Sequence, residues 1–91
     1  MNVDKILNRL KTFTAREHEV LNQVVSGRLN EEIASDLGIT ERTVKAHRRT
    51  IMEKMETKSL AELVTMIITV RLDETRMMTQ AAPNRATRKQ I

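Results

Sequence analysis

Arg42, Lys45 and Arg49 recur three and four residues apart, with Ala46 beside the second of them. Guanidinium and ammonium groups donate hydrogen bonds and accept none, so a cluster of them suits a partner rich in acceptors and negative charge. On a helix the four positions fall within roughly 100° of arc. Such a face has the donors to reach guanine O6 and N7. The Ala46 methyl can lie against a thymine methyl and lets the helix sit deep in a major groove. Thr43, His47, Thr50 and Lys54 lie on one shoulder of the same helix, where side chains would meet a phosphate backbone. His47 also borders an apolar stripe, which suits a packed residue equally well. Most charged helix faces are merely solvated, so the assignment depends on the element that precedes this one.

That element carries Ala34, Gly38 and Val44 in the frame Ala-x3-Gly-x5-Val. Two helices joined by a short turn cross steeply and need small groups where their backbones approach. Gly38 stands where the turn requires a positive φ, and Val44 points back into the angle between the helices. Ile33, Leu37, Ile39 and His47 flank them where the unit meets its core. The frame reads as a helix-turn-helix. Val44, Ile51 and Met55 then lie within about 20° of one another and form the buried stripe of the second helix, opposite the basic face.

The remaining elements are punctuated clearly. Thr14-Ala15-Arg16-Glu17 has the form of a capping box, opening a helix with Val20, Leu21, Val24 and Val25 inward and Gly27 at its close. Asn30 is placed to cap the short helix of Ile33, Ala34 and Leu37, and Thr40 to cap the helix from about Glu41 to Met55. Ser59-Leu60-Ala61-Glu62 is a second capping box, opening a helix that reaches about Leu72. Leu60, Leu63, Val64, Ile67 and Val70 form its inward face, while Ala61, Ile68 and Leu72 make a second apolar stripe about 100° away. Val3, Ile6, Leu7 and Leu10 recur at helical spacing, as a short N-terminal helix or the end of a linker. Apolar periodicity fades from Asp73, and Pro83 to Lys89 is small, polar and basic, as in a disordered tail. The expected organisation is 1–12 linker or short helix, 13–72 helix-turn-helix domain and 73–91 basic tail, an all-α fold.

Composition agrees with one small aliphatic domain. The chain has 91 residues, Phe13 as its lone aromatic residue, two glycines and one proline. Lys and Arg number 16 against 12 acidic residues, for a net charge of +4 that leans toward a polyanion. The absence of cysteine removes disulfides and thiolate chemistry and is consistent with a reducing cytoplasm. Two histidines far apart, His18 and His47, make no metal site, so no cofactor is expected. Glu17 and Glu19, like Glu31 and Glu32, diverge on a helix, and no nucleophile–base pair or glycine-rich phosphate loop accompanies them. An enzyme is not expected. Neither a membrane span nor the apolar core of a signal peptide is present, so the expected setting is cytoplasmic.

At this point whole segments resemble a known family. Phe-Thr-Ala-Arg-Glu-His-Glu-Val-Leu at 13–21, Gly-Arg-Leu-Asn-Glu-Glu-Ile-Ala at 27–34, Thr-Val-Lys-Ala-His-Arg-Arg-Thr-Ile-Met-Glu-Lys-Met at 43–55 and Lys-Ser-Leu-Ala-Glu-Leu-Val at 58–64 are similar to the LuxR-type, or GerE-type, helix-turn-helix, above all in FixJ-like response regulators. The resemblance implies a four-helix domain whose third helix enters the major groove, with dimers on paired half-sites near promoters. It carries base reading to Lys45, Ala46 and Arg49, beside which the projection also places Arg42. It carries backbone contacts to Thr43, His47, Arg48 and Lys54, and to Asn30 and Glu31, whose helix-start amides can face a phosphate. It gives Glu17 a structural role, often paired with a basic residue of the third helix, and pairs the dimer through the fourth, where Ala61, Ile68 and Leu72 offer the stripe. Phe13 stands where Leu is commoner.

Members usually carry a receiver or ligand-binding domain ahead of this one, and the linker-like start holds none. An excised half of a response regulator and a free-standing small regulator both remain open. The first reading is thus a bacterial transcription regulator that binds double-stranded DNA as a homodimer, with RNA polymerase a further candidate partner. The alternatives are a protein-interaction module docking on RNA polymerase or another regulator, as a sigma-factor fragment or antagonist would, and a non-specific nucleoid protein. Persistence of DNA affinity at physiological salt, and its sequence preference, separate them.

Overall fold

The computed structural model describes residues 2–81 of the chain, which form α1 (Val3–Leu10), α2 (Ala15–Val25), α3 (Asn30–Leu37), α4 (Glu41–Lys54) and α5 (Leu60–Ala81), with no strand among the described residues. The all-α expectation holds. None of these helices is long and apolar enough to cross a membrane.

The helix starts follow from local hydrogen bonding. The Thr14 hydroxyl accepts from the Glu17 amide at 3.1 Å, and the Thr14 amide donates to Glu17 Oε1 at 2.8 Å, completing the expected capping box. Thr40 caps α4 through the Thr43 amide at 3.1 Å. At α5 only half of the expected box forms: the Glu62 amide donates to Ser59 Oγ at 3.2 Å. Asn30 is not the cap of α3 but its first residue. Leu29 holds the cap position, and its amide donates to Glu32 Oε1 at 2.8 Å. The helix ends also follow expectation: Gly27 closes α2 at φ +85° and Gly38 turns α3 into α4 at φ +68°, conformations that cost a Cβ-bearing residue roughly 1 kcal/mol or more.

One aliphatic core collects the inward faces. Val20, Leu21 and Val24 of α2, Ile33 and Ala34 of α3, and Val44, Ile51 and Met55 along α4 are buried together with Leu63, Met66, Ile67 and Val70 of α5. The inward face of α5 differs from expectation at its first turn. Leu60 stays 45% exposed and Val64 is only half-buried, whereas Met66 is buried. The unbranched Met side chain reaches the core from a position one residue off the projected stripe. Helix α5 also runs to Ala81, beyond the expected end at Leu72, so 73–81 is helical. The remainder of the expected tail, 82–91, lies outside the described residues.

The N-terminal segment is a helix, as one of its two readings held, and it is tied to the core. Ile6 is 2% exposed, and α1 lies against α5. Arg9 donates to the Met55 carbonyl at 3.1 Å, at the end of α4, and pairs with Glu56 at 3.1 Å. Glu56 adopts φ +54° just after α4, a left-handed conformation.

A second tie joins the start of α2 to the end of α4. Lys54 Nζ reaches Glu17 Oε1 at 2.6 Å and donates to the Thr12 carbonyl at 2.8 Å. The same ammonium lies 5.6 Å from the centroid of the Phe13 ring, which in turn packs on His18 at 5.2 Å. The hydrogen bond from Lys54 holds the Glu17 carboxyl below the usual glutamate range, helped by the Thr14 amide and opposed by burial. Because the folded-state pKa is depressed, this contribution to stability is fully present above the ordinary glutamate value of about 4.3. It is lost as pH falls through the lower folded-state value.

Two expectations follow. Glu17→Gln is expected to lower unfolding free energy at neutral pH by about 1–3 kcal/mol, since it leaves the Lys54 charge without its carboxylate. It is also expected to flatten the loss of stability on acidification below the ordinary glutamate pKa, as read by denaturant titrations across pH. Ile6→Ala is expected to destabilise the whole domain by about 2–4 kcal/mol. An unchanged urea midpoint would detach α1 from the cooperative unit.

Candidate nucleic-acid interface

Helix α4 divides its residues between two environments. Val44, Ile51 and Met55 are at most 1% exposed, and they fix the rotation of the helix about its axis. Arg42, Lys45, Ala46 and Arg49 are all exposed on the other side. The side chains of Arg42, Lys45 and Arg49 make no hydrogen bond or ion pair among the described residues, so their donors are free to meet an outside partner. The structure therefore brings together the four residues expected to read base edges.

The expected backbone contacts separate into three groups. Thr43 and His47 are half-buried on the shoulder of α4. The Thr43 hydroxyl shares a 2.9 Å hydrogen bond with that of Thr40, which helps fix the first turn of α4. Arg48 and Asn30 meet each other: Arg48 Nη1 donates to Asn30 Oδ1 at 2.7 Å, linking the middle of α4 to the start of α3. The guanidinium has five donors, so this bond orients Arg48 without exhausting it. Glu31, in the first turn of α3, is exposed next to it.

Lys54 departs from expectation. Placed by projection and by resemblance among the phosphate contacts, it is instead drawn into the contact with Glu17, Thr12 and Phe13 at the far end of α4. A charge-assisted bond of 2.6 Å to a buried carboxylate turns the ammonium toward α2, although the Lys54 side chain stays partly exposed. Residue spacing alone could not reveal this, because Glu17 lies 37 positions away. The role that the resemblance gave Glu17 was the available signal.

On α5, Ala61, Ile68 and Leu72 are exposed, with Ile68 at 46% and Leu72 at 63%. Their stripe points away from the core. Two features were missed from the sequence: the Arg9 anchor to the end of α4, and an open cavity beside Leu60 at the base of the Arg48–Asn30 bridge.

The likeness to known proteins centres on these same helices. The model of the bacterial regulatory proteins of the luxR family matches residues 11–67. The transcriptional regulatory protein FixJ of Rhizobium meliloti is 46% identical over 67 residues, covering 74% of this chain and 33% of that protein. The tetrathionate response regulatory protein TtrR of Salmonella typhimurium is 41% identical over 71 residues, covering 78% of this chain and 34% of that protein. Among solved structures, the response regulator StyR superposes with a TM-score of 0.71 at 41% identity, over 72% of this chain and 33% of that one. The chain spans about a third of the length of these relatives. Helix α1 and the part of α5 beyond Ile67 lie outside the matched family region. With a family match across most of the chain and a helix-turn-helix geometry at its centre, the protein belongs to the luxR family of bacterial regulatory proteins.

Proposed function

We propose that this domain binds double-stranded DNA in a sequence-specific manner and regulates transcription, with α4 in the major groove. The observation that carries the reading is the set of three unpartnered cations, Arg42, Lys45 and Arg49, on a helix whose opposite face is locked in the core. Lys45 and Arg49 offer donors to guanine O6 and N7, and Ala46 offers a methyl to thymine. Thr43, His47 and Arg48, with the amides at Asn30 and Glu31, meet the flanking phosphates and set the register of α4. Lys54 takes no part, because its charge is already answered by Glu17.

The domain acts as a homodimer on paired half-sites, joined through Ala61, Ile68 and Leu72 of α5. Exposure of these apolar side chains supports that role. Three side chains bury little area, so the domain is mostly monomeric at micromolar concentration and pairs on DNA, where the duplex raises the effective concentration.

Lys45→Ala and Arg49→Ala are each expected to weaken binding to a selected operator by about 1–3 kcal/mol with helical content unchanged, as followed by gel-shift titration and circular dichroism. Retention of operator affinity in the double variant would place the reading face elsewhere. Ile68→Glu is expected to abolish cooperative occupancy of two half-sites while preserving the fold and weak single-site binding. Unaltered two-site cooperativity in that variant would move the dimer contact off α5.

A further inference from the structure

Beside α4 lies a cavity of about 280 Å³ between α2, α4 and the first turn of α5. Its floor is apolar: Val24, Ile51 and Leu63 are all buried. Met52, half-buried, and Leu60, 45% exposed, form its wall. Leu60 occupies a position that the periodicity of α5 assigns to the core, and its exposure follows from the open space beside it.

The mouth has the opposite character. Lys45, Arg48 and Arg49 stand around it with the Asn30 amide, and no carboxylate lines the cavity. Arg48 is oriented across the mouth by its bond to Asn30, while Lys45 and Arg49 have no partner among the described residues. An apolar floor beneath uncompensated cations discriminates by charge as well as by polarity. Inorganic phosphate would satisfy the mouth and leave the wall of Leu60 and Met52 in contact with water. A neutral apolar molecule would cover that wall and leave the cations unanswered. A molecule with both parts satisfies both.

We infer that this cavity is a binding site for a small amphipathic organic anion, a carboxylate or sulfonate on an apolar aryl or alkyl body. The volume falls just below the usual range of ligand sites, roughly 300–1,000 Å³, and suits a single ring or a short chain. The apolar body lies on Val24, Ile51 and Leu63 and covers Leu60, and the acid group meets Arg49 and Lys45. A further consequence rests on the DNA-reading proposal above. An anion held by Lys45 and Arg49 takes from DNA the two side chains proposed to read it, so ligand and DNA oppose each other, each lowering affinity for the other by the same factor.

The probe is 4-phenylbutyrate, titrated into the full chain and followed through Leu and Met methyl resonances, with 4-phenylbutan-1-ol and butyrate as controls. The expected result is saturable shifts confined to Leu60, Leu63 and Met52, with the acid bound about tenfold more tightly than the alcohol and butyrate far weaker, since a charge-assisted hydrogen bond is worth about that factor. Leu60→Glu, a change at an exposed position, is expected to abolish the shifts while leaving the circular dichroism spectrum unaltered. Equal affinity for acid and alcohol, shifts that fail to saturate at low millimolar probe, or shifts centred on Ile68 and Leu72 would overturn the site. In a parallel titration of a labelled duplex, saturating probe is expected to lower duplex affinity. Probe binding with unchanged duplex affinity would overturn the opposition, whereas absence of duplex binding by the free protein would count against the DNA reading and leave the methyl shifts to judge the cavity.

Discussion

The Glu17 carboxylate is the joint on which the geometry of this domain turns. It accepts the Thr14 amide at the start of α2 and the Lys54 ammonium at the end of α4, so one side chain both starts a helix and tethers another. Its contacts belong to a set that also includes the Thr12 carbonyl and the Phe13 ring, all at one end of α4. The ion pair matters here more for direction than for raw stability, because a half-buried pair gains modestly once desolvation is counted. By holding the last turn of α4 against the entry to α2, it sets the angle at which the rest of α4 crosses the domain.

At its other end α4 is fixed by Gly38 and the Thr40 cap, and at its middle by the contact of Arg48 with Asn30. Held at both ends and packed along one stripe, the helix has no freedom to roll, and Arg42, Lys45 and Arg49 are presented together. The backbone of such a surface is preorganised: the cost of orienting α4 is met on folding, and only the exposed side chains remain to be ordered on binding. Arg9 adds a further anchor by bonding to the Met55 carbonyl, which brings α1 into the same framework. The core and the outer face of α4 are thus two consequences of a single constraint on its orientation.

Much of this was legible in the residues. Capping signals at Thr14 and Thr40, the two positive-φ glycines and the spacing of Val44, Ile51 and Met55 are local or periodic features, and each is realised where it was read. What escaped was set by contacts distant in sequence. Lys54 looked like an outward cation because a helical projection contains no information about a carboxylate on another helix. Asn30 looked like a cap because its type suits one, yet Leu29 takes that position and Glu32 supplies the capping oxygen from within the helix. Leu60 looked like core because periodicity records which way a side chain points and not whether anything meets it there. The length of α5 was underestimated because Glu74, Thr75 and Arg76, all exposed, interrupt the apolar stripe after Asp73 without disfavouring helix.

The central claim is that a fixed, partner-free basic face on α4 reads the sequence of duplex DNA. Its most direct measurement is selection of bound duplexes from a fully randomised pool by the intact chain at physiological salt. The account predicts enrichment of one short motif, recovered as two related copies at a fixed spacing, because a rigid reading face on a paired domain allows one arrangement. Recovery of duplexes with no motif above the input pool, or of no duplex at all once salt is raised to that level, would contradict it.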